Sequence, residues 1–345
     1  MPVALENSDR HAKRSRKRQD AVNSNRRVVG TGQLLSGEIY QHTALPSAHR
    51  APGAGKLSES DSRIQEGVFL EDSLQALRKL PDACVDLVYV DPPFGTGQVR
   101  TLNTIRTGSG DRLRKGFGDR VYSYHVTSTL NYRDDLPFDE YLLFLRRHLV
   151  ETHRVLKGTG SLYLHLDFHS VHYARLVLDE IFGPHRFLNE IVWAYDYGGR
   201  PRDRWPRKHD NILWFAKSDE WVFNRDEIDR LPYMAPGLVG PEKASKGKLP
   251  TDVWWMTIVP TNSAERTGYP TQKPERLLQR IIMASSKPGD LVLDYFAGTG
   301  TTGVVAKRLG RRFLLVDNNP KAVQIAVKRI AELDQRQAHL FTTPS

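Results

Sequence analysis

Apolar and polar positions alternate along this chain in a rhythm that predicts strands and helices in turn. From Ile64 onward, the apolar stretch VFL precedes Asp72, SLQALRKL has the spacing of a short helix, and CVDLVYV is an apolar run that ends at Asp91. A strand, a helix and a second strand within about 30 residues form the repeating unit of a parallel sheet. The segment therefore predicts the start of an α/β domain.

The same alternation continues over most of the remaining chain. Residues 138–156 have the apolar spacing of an amphipathic helix, and the strand SLYLHLD and a helix at 170–182 follow. From Tyr269 the pattern predicts a helix, the strand LVLDYF, a glycine-rich loop, a helix, the strand RFLLVD and a last helix from Pro320. These elements predict a doubly wound, mostly parallel sheet.

Two segments interrupt this alternation. Residues 95–130 are rich in glycine and basic residues, which predicts a long, mobile loop without regular structure. Residues 195–268 contain GGRPRDRWPRKHD and GPEKASKGKLP, which predict an inserted lobe. The chain then divides into an N-terminal arm at 1–62, a first sheet-forming half at 63–194, the lobe at 195–268 and a second half at 269–345.

The charge balance favours a polyanionic partner. The 345 residues carry a formal net charge of +10, and residues 1–56 hold ten Lys and Arg against four Asp and Glu. Cationic side chains gain affinity for nucleic acid by releasing its counterions, so the basic arm, expected to be mostly disordered, is either a nucleic-acid contact or a solvated tail. One cysteine, Cys84, excludes an intramolecular disulfide and a multi-thiolate zinc site. Because no apolar run approaches about 18 residues, we expect a cytoplasmic protein that does not span a membrane.

A glycine loop indicates a nucleoside-binding site. Residues 298–303 match G-x-G-x-x-G between a predicted strand and helix, and Asp317 follows Gly298 by 19 residues. Both a dinucleotide and S-adenosylmethionine (AdoMet) fit this pattern, with the acid at the ribose hydroxyls. Asp294 ends the preceding strand, and a carboxylate there suits a cationic amine or sulfonium better than a pyrophosphate. The loop therefore favours AdoMet.

A second motif, Asp91-Pro92-Pro93-Phe94, ends the strand CVDLVYV at the edge where α/β sheets place ligands. A rigid strand-ending turn is the structural alternative. The exocyclic amine of adenine or cytosine is a poor nucleophile, because its lone pair is delocalised into the ring. The Asp91 carboxylate and the Pro92 carbonyl can accept both amine N–H groups, and Phe94 offers a face on which an extruded base can stack.

Three motifs together, VDLVYVDPPF, YPTQKPERLL and VLDYFAGTGTT, resemble those of the amino-methylating DNA methyltransferases. The Asp-Pro-Pro motif precedes the glycine loop, so the chain resembles their circularly permuted β group, over about residues 64–335. The resemblance implies a Rossmann-like sheet of seven strands, with the strands at 291–296 and 312–317 beside those at 66–70 and 85–90. It also implies AdoMet as the cofactor and double-stranded DNA as the substrate.

The resemblance assigns roles to single residues. Asp91, Pro92, Pro93 and Phe94 form the catalytic motif. The implied cofactor residues are Asp72 at the adenine, Thr271 and Lys273 near the methionine end, Asp294, Phe296, Gly298, Gly300 and Thr301 around the glycine loop, and Asp317 and Asn318 at the ribose. Position 299 is Thr, where the family usually has Ser, and Asp at position 91 favours adenine N6 over cytosine N4.

The remaining polar segments are candidates for contact with DNA. We expect the lobe to recognise the target, with the alternative of a solvated loop, and its phosphate or guanine contacts are predicted to come from Arg200, Arg202, Arg204, Arg207 and Lys208. The predicted function is site-specific methylation of adenine N6 by base flipping on nucleoid DNA. Cytosine N4 methylation is the alternative, and a nicotinamide dehydrogenase or an inactive DNA-binding protein is more distant. A cognate restriction endonuclease and a homodimer are further expected partners.

His165, Asp167, His169 and His172 form a candidate metal cluster. Alternation along a strand puts the first three on one face. Amine methylation requires no metal, however, and no further carboxylates join the cluster, so we expect no metal.

Overall fold

A computed structural model describes residues 64–93, 98–115, 121–134 and 137–342 of the protein. These residues form ten strands and seven α-helices, with short 3-10 turns at Pro184–Arg186 and Pro236–Leu238. The strands are β1 Gly67–Leu70, β2 Val85–Val90, β3 Gln98–Lys115, β4 Val121–Asp134, β5 Leu156–Leu166, β6 Phe187–Ala194, β7 His209–Ala216, β8 Val253–Trp255, β9 Leu291–Asp294 and β10 Arg312–Asp317. The helices are α1 Ser73–Lys79, α2 Phe138–Val155, α3 Val171–Phe182, α4 Pro241–Lys246, α5 Glu275–Ser285, α6 Thr301–Arg308 and α7 Pro320–Thr342.

Eight of the strands form one sheet in the order β1-β10-β9-β2-β5-β7-β6-β8. The two C-terminal strands lie between the two N-terminal ones: β10 pairs in parallel with β1 and with β9, and β9 pairs with β2. The permuted arrangement predicted from the motif order is therefore confirmed. This arrangement brings the carboxyl ends of β2, β9 and β10 together at one end of the sheet. Strand β2 is nevertheless separated from the other two by about 200 residues of chain.

The sheet has eight strands instead of the predicted seven. Two of them come from residues 195–268, which were predicted to form an inserted lobe. Strand β7 lies in the sheet between β5 and β6 and runs antiparallel to both, and the short β8 extends the edge beyond β6. The surrounding Gly-, Pro- and Arg-rich runs hid the strand NILWFA, whose apolar side chains are buried.

A second departure concerns residues 95–130, predicted to be a loop without regular structure. Strands β3 and β4 pair antiparallel from Gln98–Asp134 to Lys115–Val121. The segment VYSYHVTSTLNY is rich in β-branched and aromatic residues, which favour strands. The prediction of a loop was wrong because it relied on the glycine and charge content of the segment and not on its strand-forming residues. Residues 94–97 and 116–120, which include Phe94, and the arm at 1–62 lie outside the described residues.

Helices cover both faces of the sheet, as the doubly wound prediction requires. Buried residues of α1, α2 and α3 pack on one face, and those of α5, α6 and α7 pack on the other. The parallel strands between them are apolar almost throughout, because neither face meets water. Among the described residues, no helix combines the length and hydropathy that a membrane span requires.

The buried face of β10 offers a test of this packing. Leu314 is fully buried, whereas Leu176 on α3 is 68% exposed. We expect Leu314→Ala to lower the free energy of unfolding by about 2–5 kcal/mol, because it removes buried methyl groups and leaves a cavity. Leu176→Ala should change it by less than about 0.5 kcal/mol. Urea denaturation of both variants measures the difference, and equal losses would contradict the core position of β10.

Candidate active site

A cavity of about 540 Å³ opens at the carboxyl ends of the parallel strands. This edge is where open α/β sheets bind their ligands. Among the residues that line it are Tyr89, Tyr269 and eleven of the predicted site residues: Asp72, Asp91, Pro93, Thr271, Lys273, Asp294, Phe296, Gly298, Thr301, Asp317 and Asn318. The chain thus brings the two motifs together at one cavity.

The glycine loop needs its glycines for two reasons. Gly298 and Gly300 have φ values of 50° and 73°, which L side chains rarely adopt. A Cβ on Gly300 would lie 2.7 Å from the Cβ of Ala326 on α7. Gly303, in the first turn of α6, would place a Cβ 2.5 Å from Leu315. The loop therefore turns sharply and lets α6 lie close to β10.

Asp294 is a buried carboxylate at the end of β9. Its Oδ1 accepts from the Phe296 N–H at 3.1 Å and its Oδ2 from the Thr302 hydroxyl at 2.5 Å. Burial raises the pKa of Asp294 to about 7; these hydrogen bonds lower it, and the negative charges of Asp91 and Asp317 raise it further. A cation in the cavity would stabilise the ionised form of this side chain.

Asp317 is the last residue of β10 and holds the glycine loop by a hydrogen bond. Its Oδ2 accepts from the Gly298 N–H at 2.8 Å and its Oδ1 from the Asn319 N–H at 2.8 Å. Burial raises the pKa of this carboxyl, although both hydrogen bonds oppose the shift. Each oxygen keeps a second lone pair, so the side chain can still accept from a ligand hydroxyl.

Asp72 also lines the cavity and follows β1, the strand that pairs with β10 beside Asp317. It caps α1 by accepting from the Gln75 N–H at 2.9 Å. This contact explains how an acidic residue directly after β1 is held at the strand edge.

The catalytic motif contains a carboxylate whose two oxygens differ. Asp91 Oδ2 accepts a hydrogen bond from Lys273 Nζ. Asp91 Oδ1 is buried and has no hydrogen-bond partner among the described residues. Buried polar atoms are rarely left unpaired, so this oxygen indicates a position for a donor that comes with a ligand. The position of Lys273 near the methionine end of the cofactor stays a prediction, and the structure adds the contact of its ammonium with Asp91.

The two prolines of the Asp-Pro-Pro motif differ in their exposure to the cavity. Pro93 lines the cavity and Pro92 is buried. The cofactor role of Thr271 stays a prediction, although this residue lines the cavity in a left-handed conformation with a φ of 62°.

A buried polar network beneath Asp91 was not predicted. Tyr89 Oη and His165 Nδ1 share a hydrogen bond of 2.8 Å, and His165 Nε2 lies 3.2 Å from Asp210 Oδ2. The Tyr195 hydroxyl donates to Asp210 Oδ1 at 3.0 Å. Burial alone would raise the pKa of Asp210, but the hydrogen bonds from His165 and Tyr195 and the charges of His165 and Lys273 bring it below its usual value. Strand alternation could have identified Tyr89, which lies on the same face of β2 as Asp91.

The four residues of the candidate metal cluster do not share one strand face. Strand β5 ends at Leu166, so only His165 belongs to it, and that ring is bonded to Tyr89 and Asp210. Asp167 instead accepts from His169, with 2.6 Å between Oδ2 and Nδ1. Within the described ranges, no three His, Cys, Asp or Glu side chains are grouped so that they could hold a metal ion.

The predicted DNA-contact residues lie on the connection from β6 to β7, which we call the 195–208 loop. Strand β7 runs antiparallel to both β5 and β6, so β6 runs in the same direction as β5. The loop after β6 therefore leaves the sheet at the carboxyl ends of the parallel strands, where the cavity opens. Lys208 Nζ donates to the Gly198 carbonyl at 2.9 Å, and the Arg207 guanidinium lies 3.6 Å above the Phe168 ring. Three other cations of the loop are exposed: Arg200, Arg202 and Arg204.

The steric requirement at Gly300 can be separated from backbone strain. Gly310 has nearly the same φ, 72°, but a Cβ there would meet nothing within 4 Å. We expect Gly310→Ala to lower the free energy of unfolding by about 1–2 kcal/mol, the cost of the left-handed conformation. Gly300→Ala should cost more, because it adds the contact with Ala326. Thermal and urea unfolding measure both, and equal costs would mean that α7 yields freely to a larger residue.

Comparisons with known proteins agree with this geometry. A family model described as DNA methylase, for the N6 and N4 methyltransferases, matches residues 85–328. The chain is 32% identical over 269 residues to the type II methyltransferase M.HpaI of Haemophilus parainfluenzae, covering 77% of this chain and 74% of that protein. It is 31% identical over 268 residues to the DNA adenine methyltransferase YhdJ of Escherichia coli K12, covering 75% and 80%.

A solved structure shows the same fold. The PvuII DNA methyltransferase, which is cytosine-N4-specific, matches with a TM-score of 0.53 at 16% sequence identity, over 76% of this chain and 85% of that chain. A sheet built in permuted order, an Asp-Pro-Pro motif facing a glycine loop, and a family match over most of the chain lead to one conclusion. The protein belongs to the N6/N4 family of DNA methylases.

Proposed function

We propose that this DNA methylase transfers the methyl group of AdoMet to the exocyclic N6 amine of adenine in double-stranded DNA. The observation that carries the proposal is the asymmetric carboxylate of Asp91, with one oxygen held by Lys273 and the other buried and without a partner among the described residues. YhdJ supports adenine as the target base, because it is named a DNA adenine methyltransferase and aligns over 80% of its length.

The residues of the cavity fit AdoMet. Its volume of about 540 Å³ is within the usual range for small-molecule sites. The buried Asp294 would face the cationic methionine end, because a positive charge there would stabilise the carboxylate that burial otherwise disfavours. Asp317 would accept from the ribose hydroxyls, and Asp72, which lines the same cavity, would face the adenine ring. When bound, AdoMet supplies an electrophilic methyl group on a sulfonium.

Asp91 would activate the target amine through hydrogen bonds. Its Oδ1 accepts one amine N–H, and the Pro92 carbonyl accepts the other, so the nitrogen lone pair is less delocalised into the ring. The lone pair forms the N–C bond as the C–S bond breaks, and the electron pair of that bond goes to sulfur. The methylated nitrogen then loses one proton, which the Asp91 carboxylate can accept. Fixed acceptors cost little reorganisation during this step.

Lys273 would act as a positioning residue for this carboxylate. Its hydrogen bond to Oδ2 fixes the rotation of the Asp91 side chain, so that Oδ1 remains available for the amine. The ammonium also balances the negative charges of Asp91 and Asp210. Lys273 lies 182 residues from Asp91 in the chain, and its position depends on the fold.

The target adenine must leave the base stack before Asp91 can reach it, because its amine is otherwise paired inside the duplex. We propose that the 195–208 loop contributes DNA contacts through the exposed Arg200, Arg202 and Arg204. Arg207 and Lys208 have protein contacts that anchor the loop. A homodimer and a cognate restriction endonuclease are proposed partners.

Replacement of Asp91 tests the catalytic assignment. We expect Asp91→Ala to reduce methyl transfer to DNA by at least about 100-fold, because the amine loses its acceptor. AdoMet affinity should change by less than about threefold. Tritium transfer from labelled AdoMet measures the first quantity and calorimetry the second. Asp139→Ala, which removes an exposed carboxylate on α2, is the control.

The product identifies the base. We expect mass spectrometry of the digested DNA to show N6-methyladenine. N4-methylcytosine instead would contradict the adenine assignment, and an equal loss of transfer and AdoMet binding in Asp91→Ala would contradict the role of Asp91.

The raised pKa of Asp294 predicts that AdoMet binding releases a proton. In the empty site this carboxyl is protonated below about pH 7, and a cationic ligand favours its ionised form. AdoMet affinity should therefore rise as pH increases through about 7 and level off above it. Calorimetry at pH 6.5 in two buffers with different ionisation enthalpies counts the protons released. Asp294→Asn should remove most of this release; an unchanged proton count would show that another group titrates.

Asp294 has a separate effect on stability without ligand. Its folded pKa is above the unfolded value, so the native state binds the extra proton and is stabilised below the unfolded pKa. This contribution is lost as pH rises through about 7, and Asp294→Asn should lose that dependence.

A further inference from the structure

The side chain of Trp205 is 91% exposed, although Trp is among the residues that gain most from burial. It lies in the 195–208 loop. The base of this loop is held by several contacts. The Tyr195 N–H donates to the Lys208 carbonyl at 2.9 Å, Lys208 Nζ donates to the Gly198 carbonyl, and Arg207 stacks on Phe168. The loop is thus tied at both ends and presents Trp205 to solvent between them.

The charges around Trp205 indicate the kind of partner that covers it. The exposed residues Arg200, Arg202 and Arg204 precede it, and the acidic Asp203 lies between the last two. Arg204 Nε lies 3.9 Å from Asp203 Oδ1, too far for a hydrogen bond. A planar aromatic side chain among cations is the combination that binds nucleic acid, by stacking on bases and contacting phosphates.

The loop is also connected to the catalytic strand. Tyr195, at its start, donates to Asp210, which is bonded to His165 and through it to Tyr89. Tyr89 lies two residues before Asp91 on β2. The base of the loop that carries Trp205 is therefore fixed relative to the catalytic carboxylate. Both lie at the carboxyl ends of the parallel strands.

We propose that Trp205 is a wedge that enters the duplex and stacks in the space left by the target adenine. This inference rests on the proposed function, because it assumes that the base leaves the duplex. Apolar side chains that insert between bases offset the unstacking cost of such a distortion. Trp205 then favours the extruded state of the base, and Asp91 acts on the amine once it has arrived.

The test compares two DNA substrates that differ in the cost of extrusion. The target sequence is first read from plasmid DNA methylated by the wild-type chain. One duplex carries this site fully paired, and the other has an abasic site opposite the target adenine. Trp205→Ala is compared with Trp205→Phe and with Trp221→Ala. Trp221 is 42% exposed and follows β7 at the opposite edge of the sheet, so it is the matched control.

We expect Trp205→Ala to lower kcat/KM on the paired duplex by about 5- to 150-fold, the range for loss of one stacked base. On the duplex with the abasic site, its kcat/KM should lie within about threefold of the wild type. Trp205→Phe should stay close to the wild type on both, and Trp221→Ala should affect neither. AdoMet affinity should be equal in all variants.

Other outcomes overturn the wedge. An equal loss on both duplexes would mean that Trp205 adds only general DNA affinity. Unchanged kinetics in Trp205→Ala would mean that it does not contact DNA, as expected if a protein covers it.

A fluorescence measurement keeps the wedge separate from the proposed chemistry. With 2-aminopurine at the target position, wild type and Trp205→Phe should raise its fluorescence, and Trp205→Ala should not. If the plasmid DNA carries N4-methylcytosine in place of N6-methyladenine, the 2-aminopurine is placed next to that cytosine. A Trp205-dependent rise there would mean that the adenine assignment fails and the wedge stands. A rise of equal size in Trp205→Ala contradicts the wedge, whatever the result for methylation.

Discussion

Three carboxylates converge at the ends of three adjacent strands, and the electrostatics of the site depend on the burial of the middle one, Asp294. Asp317, Asp294 and Asp91 end or follow β10, β9 and β2, which are neighbours in the sheet. Burial is the main cause that raises the pKa of Asp294, and the negative charges of Asp91 and Asp317 raise it further. Lys273 is bonded to Asp91 at one end of this row. The cavity therefore carries an excess of negative charge that a cationic ligand relieves.

The topology makes this convergence possible. In a parallel sheet the carboxyl ends of all strands meet at one edge, regardless of the order in which the chain builds them. Here the strand with the glycine loop comes about 200 residues after the strand with the Asp-Pro-Pro motif, yet β9 and β2 pair directly. The close packing of Gly300 against Ala326 and of Gly303 against Leu315 then fixes the loop beside the cavity.

Much of this arrangement could be predicted from the sequence, because buried parallel strands are continuous apolar runs and their last residues are acidic. The runs that end at Asp91, Asp294 and Asp317 correctly gave the sheet edge. The contact between Lys273 and Asp91 could not be derived in this way, since it joins residues 182 positions apart and leaves no local pattern. Strand β7 was missed because its apolar core lies between charged, Pro-rich segments that favour a loop. The composition of the flanking segments therefore indicated a loop and did not reveal the buried strand between them.

The charge of the site also favours the methyl donor over its product in the proposed reaction. Before transfer, the sulfonium adds a positive charge to a cavity in which Asp294 is held near its point of titration. Methyl transfer moves that charge to the amine nitrogen, and the proton that follows neutralises one carboxylate or leaves to solvent. The sulfur product is neutral, so the attraction that favoured the substrate cofactor is weaker for the product. A carboxylate with a pKa of about 7 can then take up a proton and lower the remaining repulsion. Because Asp294 is buried close to Asp91 and Asp317, its ionised form gains more from a positive sulfonium than from a neutral sulfur. The site therefore favours binding of the methyl donor over its product, which is the discrimination that a turnover cycle requires.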